Sequence, residues 1–540
     1  MKKRLFILLL LIPLFIFGCE MESSSKPDEE VLPYQLDRPN LVLVGEELKW
    51  EAIEYAKYYR VYVDDELASA GTATSFSLTR YVNAEFSIKV QAVSGNEAIK
   101  DSEFAYYKYE SYPDKGHYQI LMINDTHGSF VDDYTPGLAR VSSIINEVDQ
   151  GHLIKVANGD IFQGSYVSNV LQGAPLIDAM NAMEFDCFVI GNHDFDWGLD
   201  VVYQYADGDP SNGEANFPFL GANIIDKRTG ERVDWLDAYT VVDVGNAKVG
   251  IIGLIGYELE SSILSTRVED YDFVYPVSIV RDCAKELRTE LGCDQVIVSI
   301  HDYDEALNQT LASLSGVYAI DGILCGHSHQ QISTTLTRSD NKQIPIVQNR
   351  DKNRTVTVVD YDLENPSFVV RQYNPFDYQP DYEIISLENK YQATIDEGNR
   401  VLGSTSYLSK SVLGHYATDL MADKYDADMA IINTGGIRAT ISNGQMTVAD
   451  VFEVFPFDNQ VITLTMKGST IKELYRDNAD YLYFNTSFNI NNINNDGYYD
   501  VAVIDYVFFN PYYEEFDGVE YYNTTDILRD LLVDYLDELY

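Results

Sequence analysis

The chain has 540 residues, 46% of them apolar, and a formal net charge of −47, so it can build about three domains with sizeable cores. The charge keeps the surface soluble and excludes DNA, RNA and anionic lipid surfaces as extended partners, since phosphate backbones bind basic surfaces. A small phosphoester stays admissible where bound cations make a site locally positive.

The N-terminus reads Met1-Lys2-Lys3-Arg4, then an apolar run from Leu5 to Phe17. Thirteen residues are short for a membrane span and right for the apolar region of a signal peptide. The run ends Ile16-Phe17-Gly18-Cys19, which resembles a bacterial lipoprotein signal. That resemblance implies removal of residues 1–18, lipidation of Cys19 and a place on the outer face of the cell membrane. Residues 19–33 carry Ser, Glu and Pro with almost nothing apolar and read as a tether.

Residues 34–112 predict a small all-β sandwich. Leu48–Trp50, Tyr59–Val63, Ser75–Leu78 and Phe86–Ala92 alternate apolar and polar residues. The spacing of Trp50, Ala56, Tyr59, Val61, Ile88, Val90 and Ala92 resembles a fibronectin type III module.

From about 116 to 375, apolar strands alternate with helical stretches, as in a layered α/β domain. Pro136–Val148 and Pro276–Leu291 predict amphipathic helices. Residues 376–402 predict a connecting helix and hinge, and residues 403–540 a third, α+β domain that ends in a helix over Thr525–Leu539. Cys187 and Cys325 read as buried core residues. A Cys283–Cys293 bridge stays open.

Chemistry gathers at five strand ends. Ile120–Ile123 ends in Asn124-Asp125-Thr126-His127, and Ile154–Ala157 in Asn158-Gly159-Asp160. Cys187–Ile190 ends in Gly191-Asn192-His193-Asp194-Phe195-Asp196. Val296–Ile300 ends in His301-Asp302, and Gly322–Cys325 in Gly326-His327-Ser328-His329. Five of the eight histidines lie at these ends. Asp, Asn and His without thiolate suit Zn²⁺, Mn²⁺ or Fe²⁺. The donors are too many for one ion, and Asp160, alone at its strand end, is the natural bridge between two.

These ordered motifs resemble the calcineurin-like metallophosphoesterases. Gly159–Ser165, Gly191–Gly198 and Phe217–Asn223 are most similar to the secreted 5′-nucleotidase and UDP-sugar hydrolase family. The resemblance implies a central metallophosphoesterase sandwich and a C-terminal 5′-nucleotidase-type specificity domain. It implies two divalent ions, one on Asp125, His127, Asp160 and His329, the other on Asp160, Asn192, His301 and His327. His193, oriented by Asp196, would stabilise charge on the phosphate, and Asp194 would be structural.

The implied reaction is hydrolysis of nucleotides to nucleoside and phosphate by a metal-activated water. UDP-sugars, cyclic nucleotides and non-nucleotide phosphoesters are alternatives, as is a non-catalytic surface binding protein. In the third domain, Asn433, Gly435 and Arg438 match the nucleoside-binding motif, and Phe457 and Tyr506 match two base-stacking aromatics. The family's Gly-Gly-Asp-Gly is replaced by Phe508-Phe509-Asn510-Pro511-Tyr512-Tyr513. An arginine expected seven residues before Gly414 is missing, with Tyr407 in its place.

Overall fold

The computed structural model describes residues 35–44, 47–78, 86–96, 98–109, 117–149, 152–244 and 247–539. The signal, Cys19 and the tether lie outside the described residues.

Residues 35–109 form two antiparallel sheets. One joins Val42–Val44, Glu47–Lys49 and Ser75–Ser77; the other joins Glu66–Gly71, Ala56–Val63, Phe86–Ser94 and Ala105–Tyr109. Alternation along Ala56–Val63 buries Tyr59, Val61 and Val63 against Leu48, Trp50, Ile88 and Val90. Arg38 reaches the connector after the central domain, where its guanidinium lies 3.2 Å from Asp381.

The central domain stacks two six-stranded sheets. The first runs Phe219–Leu220, Cys187–Val189, Leu153–Asn158, His117–Ile123, Val356–Asp362, Ser367–Tyr373. The second runs Tyr239–Val244, Ala247–Ile255, Gln295–His301, Gly322–Cys325, Gln343–Gln348, Ile332–Thr337. The strands that deliver Asp160, Asn192–Asp196, His301 and His327–His329 are parallel to both neighbours in the sheet interior, and His117–Ile123, which delivers Asp125–His127, is parallel to Leu153–Asn158 and antiparallel to Val356–Asp362. Such strands are covered on both faces, which explains their near-continuous apolar runs.

The strand period of two sorts the side chains. Ile120 and Met122 join the core between the sheets, with Val156, Val189, Ile251 and Ile297. Leu121 and Ile123 face outward onto the helices Leu138–Val148 and Ala174–Ala182. The helix Val277–Thr289 covers the second sheet through Val280, Cys283, Ala284 and Leu287.

The C-terminal domain is a mixed five-stranded sheet in the order Leu482–Phe484, Met429–Asn433, Tyr498–Ile504, Gln460–Lys467, Tyr521–Ile527. The helices Lys410–Tyr425 and Leu528–Leu539 pack on it.

Three expectations need correction or closing. The connector is not one helix: short helices Tyr382–Glu388 and Gln392–Gly398 are separated by a 3₁₀ turn at Asn389–Tyr391. Asp381 caps the first of them by accepting from Glu383 N, and Pro380 precedes that cap. The last helix begins at Leu528, because Tyr521–Ile527 is drawn into strand pairing with Gln460–Leu464. Cys283 and Cys293 are both free and buried, as are Cys187 and Cys325.

Candidate metal centre and substrate cavity

The five strand ends converge. Asp125, His127 and His329 bring ligand atoms within 4.8 Å of one another, and so do Asp160, His301 and His327. Asn192 Oδ1 lies 2.9 Å from His327 Nδ1, which adds it to the second group. Asp160 groups with the second trio. Asp125 Oδ1 lies between the two sets, 3.3 Å from His329 Nε2 and 3.9 Å from His301 Nε2.

Close approach depends on glycine at two turns. A Cβ on Gly159, at φ +75°, would lie 2.3 Å from His301 Nδ1, and one on Gly191 would lie 2.4 Å from Asp160 Oδ1. Asp194 ties these turns together. Its carboxylate accepts from the main-chain amides of Gly191, Asp160 and Ile161 at 2.9, 3.1 and 3.3 Å. Burial, then the neighbouring Asp160 carboxylate, pushes the Asp194 carboxyl up to about 7.

The donor set fits divalent cations. His127 donates Nδ1–H to the Gln163 carbonyl at 3.1 Å, so its Nε2 lone pair faces His329 Nε2, also at 3.1 Å. His301 likewise bonds the Asn158 carbonyl through Nδ1. Its Nε2 then lies 3.0 Å from Asp160 Oδ2, and neither buried atom completes a hydrogen bond. Fixing the outer ring nitrogen in this way is how ligand imidazoles are oriented.

Burial lowers the His127 pKa well below its usual value. Burial and then the charge of His301 bring His327 down to about 4. Both rings are therefore neutral, as ligands must be. At His301 burial acts downward too, but the Asp160 carboxylate overrides it and holds the ring up at about 10. A cation competes with that proton for the same lone pair.

His193 stands beside this centre, with Nδ1 2.9 Å from Asp196 Oδ2. Burial alone would lower its pKa, and the carboxylates of Asp196 and Asp160 raise it instead. Its Nε2 is left for the cavity. The Phe457 ring stacks on the imidazole at 5.5 Å and 29°.

One cavity of about 1190 Å³ joins the two domains. His127, Asp160, Asn192, His193, His327 and His329 line it from the central domain, and Asn433, Gly435, Arg438, Phe457 and Tyr506 line it from the C-terminal domain. The Arg438 guanidinium lies 5.8 Å from the Phe457 ring centre. Tyr506 donates its hydroxyl to the Ser261 carbonyl at 3.3 Å. Among the described residues Phe457 and Tyr506 make no ring contact with each other. Asp125 and His301 lie fully buried beneath the floor.

Sequence reasoning missed several wall residues. Lys352, Lys410 and Arg267 bring cations to the cavity, and Phe509 comes from the altered stretch after Tyr506. Lys410 stands three residues after Tyr407, near the place of the missing arginine. No local spacing marks these positions, because each arrives from a different element. His117, His152 and His415 lie outside the cavity lining.

Residues 118–331 match the calcineurin-like phosphoesterase family, and residues 391–520 match the 5′-nucleotidase C-terminal domain. Endonuclease YhcR of Bacillus subtilis is 26% identical over 424 residues, covering 70% of this chain and 34% of the relative. Cell wall protein Lmo0130 of Listeria monocytogenes is 25% identical over 452 residues, covering 68% of this chain and 57% of the relative. The chain thus spans between a third and three-fifths of the length of these relatives. A crystal structure of a 5′-nucleotidase precursor from Thermus thermophilus shares the fold, with a TM-score of 0.67 at 20% identity, over 78% of this chain and 96% of that one. The chain therefore carries a calcineurin-like catalytic domain of the metal-dependent phosphoester hydrolases, residues 118–331, followed by a 5′-nucleotidase C-terminal domain, residues 391–520.

Proposed function

We propose that this protein is a 5′-nucleotidase-type phosphohydrolase that releases phosphate from nucleotides outside the cytoplasm. The observation that carries the reading is the shared cavity: two Asp/His ligand groups on its central-domain side, and Arg438 with two aromatic rings on its C-terminal-domain side. A bidentate guanidinium suits an anionic substituent, and flat rings suit a base.

Asp125, His127 and His329 would hold one divalent cation, and Asp160, Asn192, His301 and His327 a second. Bound there, such cations supply positive charge to the phosphoryl oxygens and activate water. The chain's own residues do the rest. Asp196 fixes the His193 ring so that Nε2–H points at the phosphate and offsets charge that builds up in the transition state. Phe457 stacks on that ring. Water adds to phosphorus, the ester oxygen leaves in line, and phosphate and an alcohol result.

A second reading keeps this chemistry and changes the leaving group to a UDP-sugar, a cyclic nucleotide or a non-nucleotide ester. The apolar stretch around Phe509 favours it. The relative named an endonuclease brings nucleic-acid phosphodiesters into view, but a net charge of −47 opposes a long polyanion. A fibronectin type III-like module would precede the catalytic body, and Cys19 would anchor the chain to the outer membrane face. Among the described residues no helix is long and apolar enough to cross a membrane. The Listeria relative's name, cell wall protein, supports a surface location.

Phosphate release from AMP by the protein lacking residues 1–19, with Mn²⁺ or Zn²⁺ added, tests the reading. His193→Ala is expected to lower kcat about 10²–10³-fold. Release from an aryl phosphate but not from AMP would move the specificity to the second reading. Silence on every ester with two ions bound would favour a binding protein.

A further inference from the structure

Gln163 lies in the turn between Asp160 and Ser165, pressed against the first ligand group. Its carbonyl accepts His127 Nδ1–H, and a Cβ on the next residue, Gly164, would lie 2.2 Å from the His127 carbonyl oxygen. The side chain is 2% exposed and lines the same cavity wall as His127, Asn192 and His193. Its amide nitrogen, Nε2, has no hydrogen-bond partner.

A buried donor without an acceptor destabilises a fold, and an apolar side chain of the same shape would serve packing better. An amide kept there points to an acceptor that arrives with the ligand. We propose that Gln163 is a phosphate-binding residue, whose Nε2–H donates to a non-bridging oxygen of the phosphoryl group held at the two ligand clusters. The inference rests on the phosphoester reading above. The acceptor is common to every ester and to the phosphate product, so Gln163 grips the transferred group and not the leaving group.

The sign of the stability effect separates this role from a structural one. Gln163→Met keeps length and volume and removes the orphan donor, so its Tm should equal or exceed that of the parent protein. Its bound metal, measured by elemental analysis, should be unchanged. Its affinity for inorganic phosphate, measured by calorimetric titration of the metal-loaded protein, should fall about 10–100-fold, as for a hydrogen bond to a charged group.

kcat/KM should fall in step with 4-nitrophenyl phosphate and with AMP. Gln163→Glu, of the same shape, replaces the donor with an anion and should weaken phosphate further. A Tm that falls together with activity in Gln163→Met would make Gln163 structural and overturn the proposal. Unchanged phosphate affinity in either variant would overturn it as well. The phosphate titration reports on Gln163 even where AMP is not a substrate, so failure of the nucleotide reading shows separately.

Discussion

Asp125, His127, Asp160, His327 and His329 all hold φ between +48° and +69°. Left-handed backbone costs roughly 1–2 kcal/mol for each residue with a Cβ. Five such residues in one centre need surroundings that over-determine them. Hydrogen bonds supply part of this: Asp125 N–H donates to the Gly159 carbonyl and His127 N–H to the Asp160 carbonyl, each at 3.0 Å. Cations bound to the same side chains would supply more. Chelation is therefore expected to lower Tm, and Zn²⁺ or Mn²⁺ to restore it. Each site at a hundredfold excess over its Kd adds about 2.7 kcal/mol. A Tm indifferent to chelator in a protein that elemental analysis shows to bind two ions would contradict this. The ligand types were legible in the sequence because they sit in consecutive residues after apolar runs. The backbone strain was not, because glycine is the usual sequence mark of positive φ and these positions carry Asp and His.

At the scale of elements, legibility followed burial. Strands covered on both faces, such as Leu153–Asn158 and Gln295–His301, are apolar throughout and read directly. The connector read as one helix because its charged residues give no strong period, and its breaks depend on caps. Glu388 ends the helix Tyr382–Glu388. Burial, and then the charge of Asp132, pushes its carboxyl up to about 7. An unfolded chain ionises Glu near 4.3. The folded state therefore binds the proton more tightly, and stability is lost as pH rises from about 4.3 to about 7. Glu388→Gln removes that penalty. It should raise Tm at pH 8 and leave it unchanged at pH 4, when melting curves at the two values are compared. An equal effect at both would show that packing, not ionisation, sets the difference. The tail was misread for a related reason. Thr524 and Thr525 could begin a helix, but a distant strand claims them, and Thr524 donates its hydroxyl to the Val461 carbonyl at 2.7 Å.

At the scale of the whole molecule, a strongly acidic chain holds a few unpaired cations in its cavity. The chain carries −47 overall, and its central cavity sets Lys352, Lys410, Arg438 and Arg267 among the carboxylates Asp160, Asp196, Asp351, Glu453, Asp458 and Asp505. Lys352 is partly neutralised by Glu453 at 3.4 Å, whereas Lys410 and Arg438 have no carboxylate partner among the described residues. Burial, and then the charges of Arg438 and Lys352, lower the Lys410 pKa, a sign that these cations face one another. An anionic substrate is thus repelled at long range and attracted locally, where Lys410 and Arg438 stand without a carboxylate partner. Salt acts on the two terms differently. Repulsion by distant exposed charge is screened at a Debye length near 8–10 Å in 0.1–0.15 M salt, while contacts inside the cavity are screened less. Lys410→Ala removes only the short-range attraction. Its KM for a nucleotide should rise several-fold with kcat nearly unchanged, since it removes binding shared by ground and transition states. The increase should be larger in 20 mM salt than in 200 mM. Lys410→Arg should restore most of the affinity, because the charge and not the ammonium shape is what the mouth requires. A KM indifferent to Lys410 at both salt concentrations would leave Arg438 as the cation that draws substrate in. The altered loop at Phe509 would then set specificity by shape rather than by charge.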